Sequence, residues 1–166
     1  MPKIGKIPSG ILTNNLKYYS MKVKIKLQEN AIVPFKATKG AACHDVVARS
    51  IEFSNDGRLA TVKLGIHTTP PSGFKIVFVP RSGLTSSPWV LQNSPAQGDE
   101  DYTGEYMLKF RYIGKEGVFA AHTFPYQVGQ RCAQMFIEKV YDFDFEIVDS
   151  LNETERNEGG FGSTGI

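Results

Sequence analysis

In PRSGL, residues 80–84, an arginine, a hydroxyl and a glycine follow one another. That set can hold an anion: Arg81 supplies a forked cation, Ser82 an O–H, and Gly83 lets backbone N–H groups come close. The same residues also make an ordinary surface turn. In NSPAQGDEDYTGEY, residues 93–106, Asp99, Glu100 and Asp101 crowd beside Tyr102. A carboxylate on a hairpin tip can take a proton from water beside an aromatic wall, and acidic runs serve equally as solvated turns. GQRCAQM, residues 129–135, sets Arg131 and Gln134 close together and reads as a strand with a polar edge. In the last residues GFGSTG (160–165) matches G-x-G-x-x-G. A dinucleotide loop needs a strand before it and a helix after it, and no Lys-Ser/Thr pair ends it as a phosphate loop requires. It offers instead a charge on Arg156, a ring on Phe161, and a flexible Gly162–Ser163–Thr164 stretch to wrap phosphate. A segment so rich in glycine loses much entropy on ordering, so either it stays disordered or something other than its own core holds it.

These loops need a frame, and the frame reads as strands. Apolar residues alternate with others in KVKIKL (22–27), FKIVFV (74–79), YMLKFRY (106–112) and VYDFDFEIV (140–148), with further strands in LATVKLGI (59–66) and RCAQMFI (131–137). Period-two alternation fits half-buried antiparallel strands. SNDG (54–57), PPSG (70–73) and IGKEG (113–117) punctuate them as turns. TSSPWVL (85–91) and SLNETER (150–156) have room for a turn or two of helix and nothing longer. The fold class is therefore all-β, a sandwich, jelly roll or barrel. With 166 residues, 41% hydrophobic and 22% charged, the chain suits one domain with a sizeable core. A formal charge of +2 makes no case for nucleic acid, and the aromatics alternate along strands without a basic stripe beside them. No apolar run approaches a membrane span, and residues 1–20 lack a signal-peptide core and read as a flexible polar extension. His44, His67 and His122 lack metal-ligand spacing and read as structural or exposed. Cys43 and Cys132 form neither a metal motif nor a disulfide framework, which fits reduced thiols in the cytoplasm.

In this order the loops resemble the five short motifs of the trimeric dUTP pyrophosphatase (dUTPase) family. AACHDVVA (41–48), centred on Asp45, is similar to the first, and PRSGL with Ser86 to the second. NSPAQGDEDYTGE, GQRCAQM and RNEGGFGSTG (156–165) are similar to the third, fourth and fifth. The resemblance covers residues 21–166. It implies a jelly-roll-like, β-clip subunit (21–149) of antiparallel strands with at most one short helix. It further implies a C-terminal arm (150–166) exchanged between subunits and a homotrimer with shared active sites. The reaction implied is hydrolysis of dUTP to dUMP and pyrophosphate with Mg²⁺, without nucleic-acid or membrane partners.

Residue by residue, the resemblance makes Asp99 the water-activating base. Arg81, Ser82, Gly83 and Gln134 become phosphate contacts, and Arg156, Gly162, Ser163 and Thr164 close over the outer phosphates. Asn93 and the backbone of 95–99 face the uracil edge, Tyr102 packs on the deoxyribose, and Phe161 stacks on the base. Mg²⁺ is carried by the triphosphate and water, with Asp45 either near that water shell or structural. Five positions depart from the family pattern: Cys43 stands for a common glycine, Ala96 and Gly98 for a glycine and an apolar residue, Thr103 for an arginine, and Gln130 for an acid. They bear on base selectivity more than on hydrolysis. A dCTP deaminase of the same fold and a silent nucleotide-binding β protein are the rival readings.

Overall fold

The computed structural model describes residues 21–116 and 120–159. The ten strands are β1 (Lys24–Leu27), β2 (His44–Val47), β3 (Ser50–Phe53), β4 (Leu59–Lys63), β5 (Ile66–Thr69), β6 (Phe74–Pro80), β7 (Trp89–Leu91), β8 (Ala96–Gly98), β9 (Met107–Tyr112) and β10 (Arg131–Lys139). Two four-stranded sheets, β2-β10-β6-β8 and β3-β4-β9-β7, are joined by a two-stranded ribbon of β1 and β5. Every pairing is antiparallel. Both sheets contribute to one core: Val46, Ile76, Phe78 and Cys132 from the first meet Val62, Trp89, Leu108 and Phe110 from the second. The all-β expectation therefore holds, with helix confined to two short 3₁₀ turns, Ser82–Ser86 and Ala120–Thr123, among the described residues.

The strand patterns explain the layers. β9 buries Leu108, Phe110 and Tyr112 and turns Met107, Lys109 and Arg111 outward, the alternation expected of a strand with one wet face. β6 lies inside its sheet between β10 and β8, and Ile76, Val77 and Phe78 are all buried, so both of its faces are covered. LATVKLGI divides into β4 and β5 at Gly65, whose φ of +66° suits glycine. A Cβ there would also lie 2.4 Å from Cδ of Arg49. The break lets β4 stay in the second sheet while β5 leaves to pair with β1.

One local expectation changes, and two segments stay within the limit set for them. VYDFDFEIV is not a strand in the single chain: Val140 N still donates to the Gly73 carbonyl at 2.8 Å, but Tyr141, Phe143, Phe145 and Ile147 beyond it are exposed, Ile147 being 98% exposed. Alternation makes a segment capable of pairing, but a strand also needs a neighbour for its N–H and C=O groups, and among the described residues no strand pairs with 141–148. SLNETER forms no helix. Its end closes a turn in which Thr154 N donates to Asn157 Oδ1 at 2.7 Å and Asn157 N donates to Thr154 Oγ1 at 3.0 Å. TSSPWVL shares only the end of a 3₁₀ turn before Pro88 leads into β7. The readings for residues 1–20 lie outside the described residues.

Candidate active site

β10 sits between β2 and β6, which brings three of the chemistry-bearing loops to one place. Asp45 on β2 is 3% exposed and stands opposite Gln134 on β10. Arg131 Nη1 donates to Asp45 Oδ2 at 2.9 Å, and Gln134 Nε2 donates to Oδ1 at 3.4 Å. Arg81 Nε forms an ion pair with Oδ1 at 3.4 Å, while Arg81 Nη1 donates to the Arg131 carbonyl at 3.2 Å. Side chains three apart on a regular strand face opposite sides. Arg131 and Gln134 reach one carboxylate because a bulge falls between Arg131 and Ala133, adding a residue to β10 and shifting the alternation. The buried Cys132 thiol sits in that bulge, held to the Val46 carbonyl at 3.6 Å, and burial pushes it up to about 12.

Arg81 leaves the end of β6 in extended backbone and opens the 3₁₀ turn, which Leu84 pins to the core. Ser82 and Gly83 are exposed at its tip. A Cβ on Gly83 would meet nothing within 4 Å, so the chain's own packing does not require glycine there. Arg81, Tyr126 and Arg131 line an open cleft of about 490 Å³. The Tyr126 hydroxyl is shielded and has no hydrogen-bond partner among the described residues, an arrangement that calls for a polar occupant.

At the other end of β6 the 93–106 segment is held mainly through its backbone. Asn93 acts as an extra rung beside β9: its Oδ1 accepts from Lys109 N at 2.9 Å and its Nδ2 donates to the Met107 carbonyl at 3.3 Å. Among the described residues β8 pairs only with β6, leaving its other edge open. Asp99 follows β8, exposed, and its carboxylate has no hydrogen-bond or ion-pair partner among the described residues. Tyr102 N donates to the Asp99 carbonyl at 3.3 Å, closing the turn. The Tyr102 ring lies across Gly104, where a Cβ would come within 2.5 Å of its hydroxyl. That hydroxyl donates to the Glu105 carbonyl at 3.0 Å.

Glu105 clamps the segment to the frame. Its Oε1 accepts from Arg49 Nη2 at 3.1 Å and from Gly65 N at 2.8 Å. Burial alone would raise the Glu105 carboxyl, but the Arg49 and Gly65 hydrogen bonds outweigh it and hold the group below its ordinary value. His67 Nδ1 contacts the Thr103 carbonyl at 2.9 Å, and Glu100 Oε2 accepts from Gly73 N at 2.9 Å.

The fold thus gathers Asp45, Arg81, Ser82, Gly83 and Gln134 at one end of β6 and sets Asp99 beyond the other, with Asn93 held beside β9 and Tyr102 in the turn after Asp99. Gly98 pairs with Ile76, which places Asp99 level with Lys75 and six residues from Arg81 along β6. At ~3.3 Å per residue the two ends lie roughly 20 Å apart. Arg156 is exposed on the turn after the extended segment, its Nε donating to the Gly159 carbonyl at 2.7 Å. Phe161, Gly162, Ser163 and Thr164 lie outside the described residues. Sequence reasoning missed Arg131 and Tyr126 as cleft residues and Arg49 and Glu105 as a clamp. Only the nearness of Arg131 to Gln134 hinted at the first.

Among the described residues no three His, Cys, Asp or Glu side chains converge as a metal site. Both Asp45 oxygens are already engaged by cations and an amide. A Mg²⁺ fits this arrangement when phosphate oxygens and water supply its ligands, as suits a hard cation that keeps its waters.

Comparison with known proteins bears on the same segments. The dUTPase family model matches residues 29–165. A deoxyuridine 5'-triphosphate nucleotidohydrolase of Helicobacter pylori strain Shi470 is 34% identical over 148 residues, 88% of this chain and 98% of that protein. One of the same description from Clostridioides difficile is 35% identical over 149 residues, 89% of this chain and 99% of its own. In fold, the chain is similar to a Staphylococcus bacteriophage 80alpha dUTPase with dUpNHpp. The TM-score is 0.74 at 21% identity, over 89% of this chain and all of that one. A point mutant of the dUTPase from phage phi11 of S. aureus, described as coordinating a structural Mg(II) ion, aligns with a TM-score of 0.64 at 17% identity, over 78% of this chain and 97% of its own.

Proposed function

The chain belongs to the dUTPase family, and on that premise we infer that it is a dUTP diphosphatase, hydrolysing dUTP to dUMP and pyrophosphate. This keeps uracil out of DNA and supplies dUMP for thymidylate synthesis. The observation that carries the reading is the convergence of Arg81 and Gln134 on the buried Asp45 at the mouth of a cationic cleft. A triphosphate bears about four negative charges, and its hydrolysis is chiefly a matter of holding them still with water in line. Arg81, Ser82, the Gly83 backbone and Gln134 hold phosphate oxygens. Asp45 orients that set rather than touching the nucleotide.

Asp99 takes a proton from the attacking water as its oxygen bonds the α-phosphorus. The bond from that phosphorus to the bridging oxygen breaks, and pyrophosphate leaves. An unpartnered, exposed carboxylate suits the task because its lone pairs are not committed elsewhere. Mg²⁺, carried by the triphosphate, supplies charge neutralisation. The open edge of β8 and the free valences of Asn93 read the uracil edge, and Tyr102 backs the deoxyribose. Arg156, Phe161, Gly162, Ser163 and Thr164 close over base and outer phosphates.

One chain cannot bring Asp99 to Arg81 across roughly 20 Å, so we infer a homotrimer in which one copy's phosphate end faces another copy's 93–106 segment. The segment that follows β10 supports this assembly. Phe143, Phe145 and Ile147 are more than two-thirds exposed, and burying each against a neighbour contributes about 1.5–3 kcal/mol. Residues 21–149 then form the body, 150–166 the exchanged arm, and 1–20 an extension. The free thiols Cys43 and Cys132 suit a cytoplasmic setting. The test is pyrophosphate release from dUTP, dTTP, dCTP and UTP in Mg²⁺. Preference for dUTP by at least about 100-fold in kcat/KM is expected, because a mismatched base edge leaves buried groups unpaired. Ammonia from dCTP, or binding without pyrophosphate, overturns the assignment.

A further inference from the structure

Gly98 sits in a regular strand: its φ is not in the left-handed region, and it pairs with Ile76 in the ladder. Glycine in a strand interior is less stable than alanine, so its presence needs a reason. The reason is space. A Cβ on Gly98 would stand 2.4 Å from the Tyr106 hydroxyl and 2.5 Å from Cε1 of the same ring. Tyr106 is 5% exposed and pinned on every side. Its N donates to the Ile66 carbonyl at 3.0 Å, its carbonyl accepts from Leu64 N at 3.1 Å, and its hydroxyl is 3.0 Å from Thr68 Oγ1. Its ring packs 4.9 Å from Phe78 on β6 and 5.6 Å from Tyr102.

One ring therefore rests against the residue before Asp99 and against the ring of Tyr102. Asp99 has no side-chain partner among the described residues, so the course of the backbone leaving Gly98 sets where its carboxylate stands. Burial raises the Tyr106 hydroxyl above its ordinary value, the Thr68 hydrogen bond offsets part of this, and the Tyr102 and Asp99 charges raise it again, which puts Asp99 within electrostatic reach.

Resting on the dUTP-hydrolysis reading with Asp99 as base, we propose that Tyr106 is a positioning residue whose ring fills the space of a side chain at Gly98 and so fixes the Asp99 carboxylate relative to Tyr102. The pair is reciprocal: the missing side chain at 98 makes room for the ring at 106, and the ring props the strand end that the glycine leaves bare.

The experiment compares the full chain with Tyr106→Leu, Tyr106→Phe, Gly98→Ala and the Gly98→Ala/Tyr106→Leu double variant. Steady-state kcat and KM for dUTP are measured per folded molecule, well below each variant's melting temperature. Tyr106→Leu is expected to lower kcat about 10–100-fold while KM moves less than about threefold, as a small misplacement of a reacting group does. Tyr106→Phe keeps the ring and stays within about threefold of the parent. Gly98→Ala lowers kcat about tenfold in the parent, but adds little or restores activity when combined with Tyr106→Leu, because the clash partner is gone. Unchanged kcat in folded Tyr106→Leu, or a double variant whose loss equals the product of the singles, overturns the proposal. Failure of the parent chain to release pyrophosphate strikes the underlying reading instead.

Discussion

At the Pro80 end of β6 polar side chains hold one another, with Asp45 between Arg81, Arg131 and Gln134. At the Phe74 end the backbone is held and the reactive side chain is left alone: Glu105 and His67 bond to main-chain groups, and Asp99 to none of them. The difference follows from the tasks proposed for each. A phosphate cradle must keep cations close together despite their repulsion, and a shared buried carboxylate does that. A general base must keep its lone pairs free, so its place has to be set through the chain on either side of it.

Breaking the second region should cost the most. Asp99→Asn is expected to cut kcat at least about 100-fold while leaving dUTP affinity within about tenfold, measured by single-turnover kinetics and equilibrium binding. Near-normal turnover would move the base elsewhere. The relation between the two ends is sharpened by mixing. Arg81→Ala and Asp99→Asn are each inactive alone, but co-refolded in equal amounts they should recover about a quarter of parental activity if every site joins ends from different copies. No recovery in verified mixed assemblies would confine each site to one copy.

Asp45→Asn attacks the first region more gently. Removing the shared charge leaves Arg81 and Arg131 to repel, so KM for dUTP should rise about tenfold, with stability down by about 2 kcal/mol in denaturant titration. The smallest effect concerns the Arg49–Glu105 clamp. Glu105 is held below its ordinary value, so its stabilisation is fully present above the usual glutamate range and is lost as pH falls through the depressed value. On going from about pH 6 to about pH 3.5, the parent should therefore lose more melting temperature than Glu105→Gln does. Equal losses would mean the clamp contributes nothing.

What could be read in the sequence was local. β9 was legible because one face is buried and the other wet, and alternation records that difference residue by residue. β8 was not: its three residues, Ala96–Gly98, carry no pattern and are a strand only because β6 lies beside them. Arg81 and Gln134 were visible in their own stretches and Asp45 only through the family resemblance, yet their meeting depends on β10 lying between β2 and β6, an order no single stretch encodes. Gly98 stood out only as a departure from a family pattern. Its cause is a ring eight positions further on, brought back by the path from β8 into β9.

The bulge on β10 constrains which genetic changes the protein can tolerate. Deletion of one codon at Cys132 would remove the extra residue and leave Arg131 and Gln134 two apart on a regular strand, on one face and still toward Asp45, at the cost of the core space the thiol fills. Length is therefore less constrained at this one place than further along the strand. In a library of single-residue deletions, loss of Cys132 should be better tolerated than loss of Met135 or Phe136, which would slip β10 against β6.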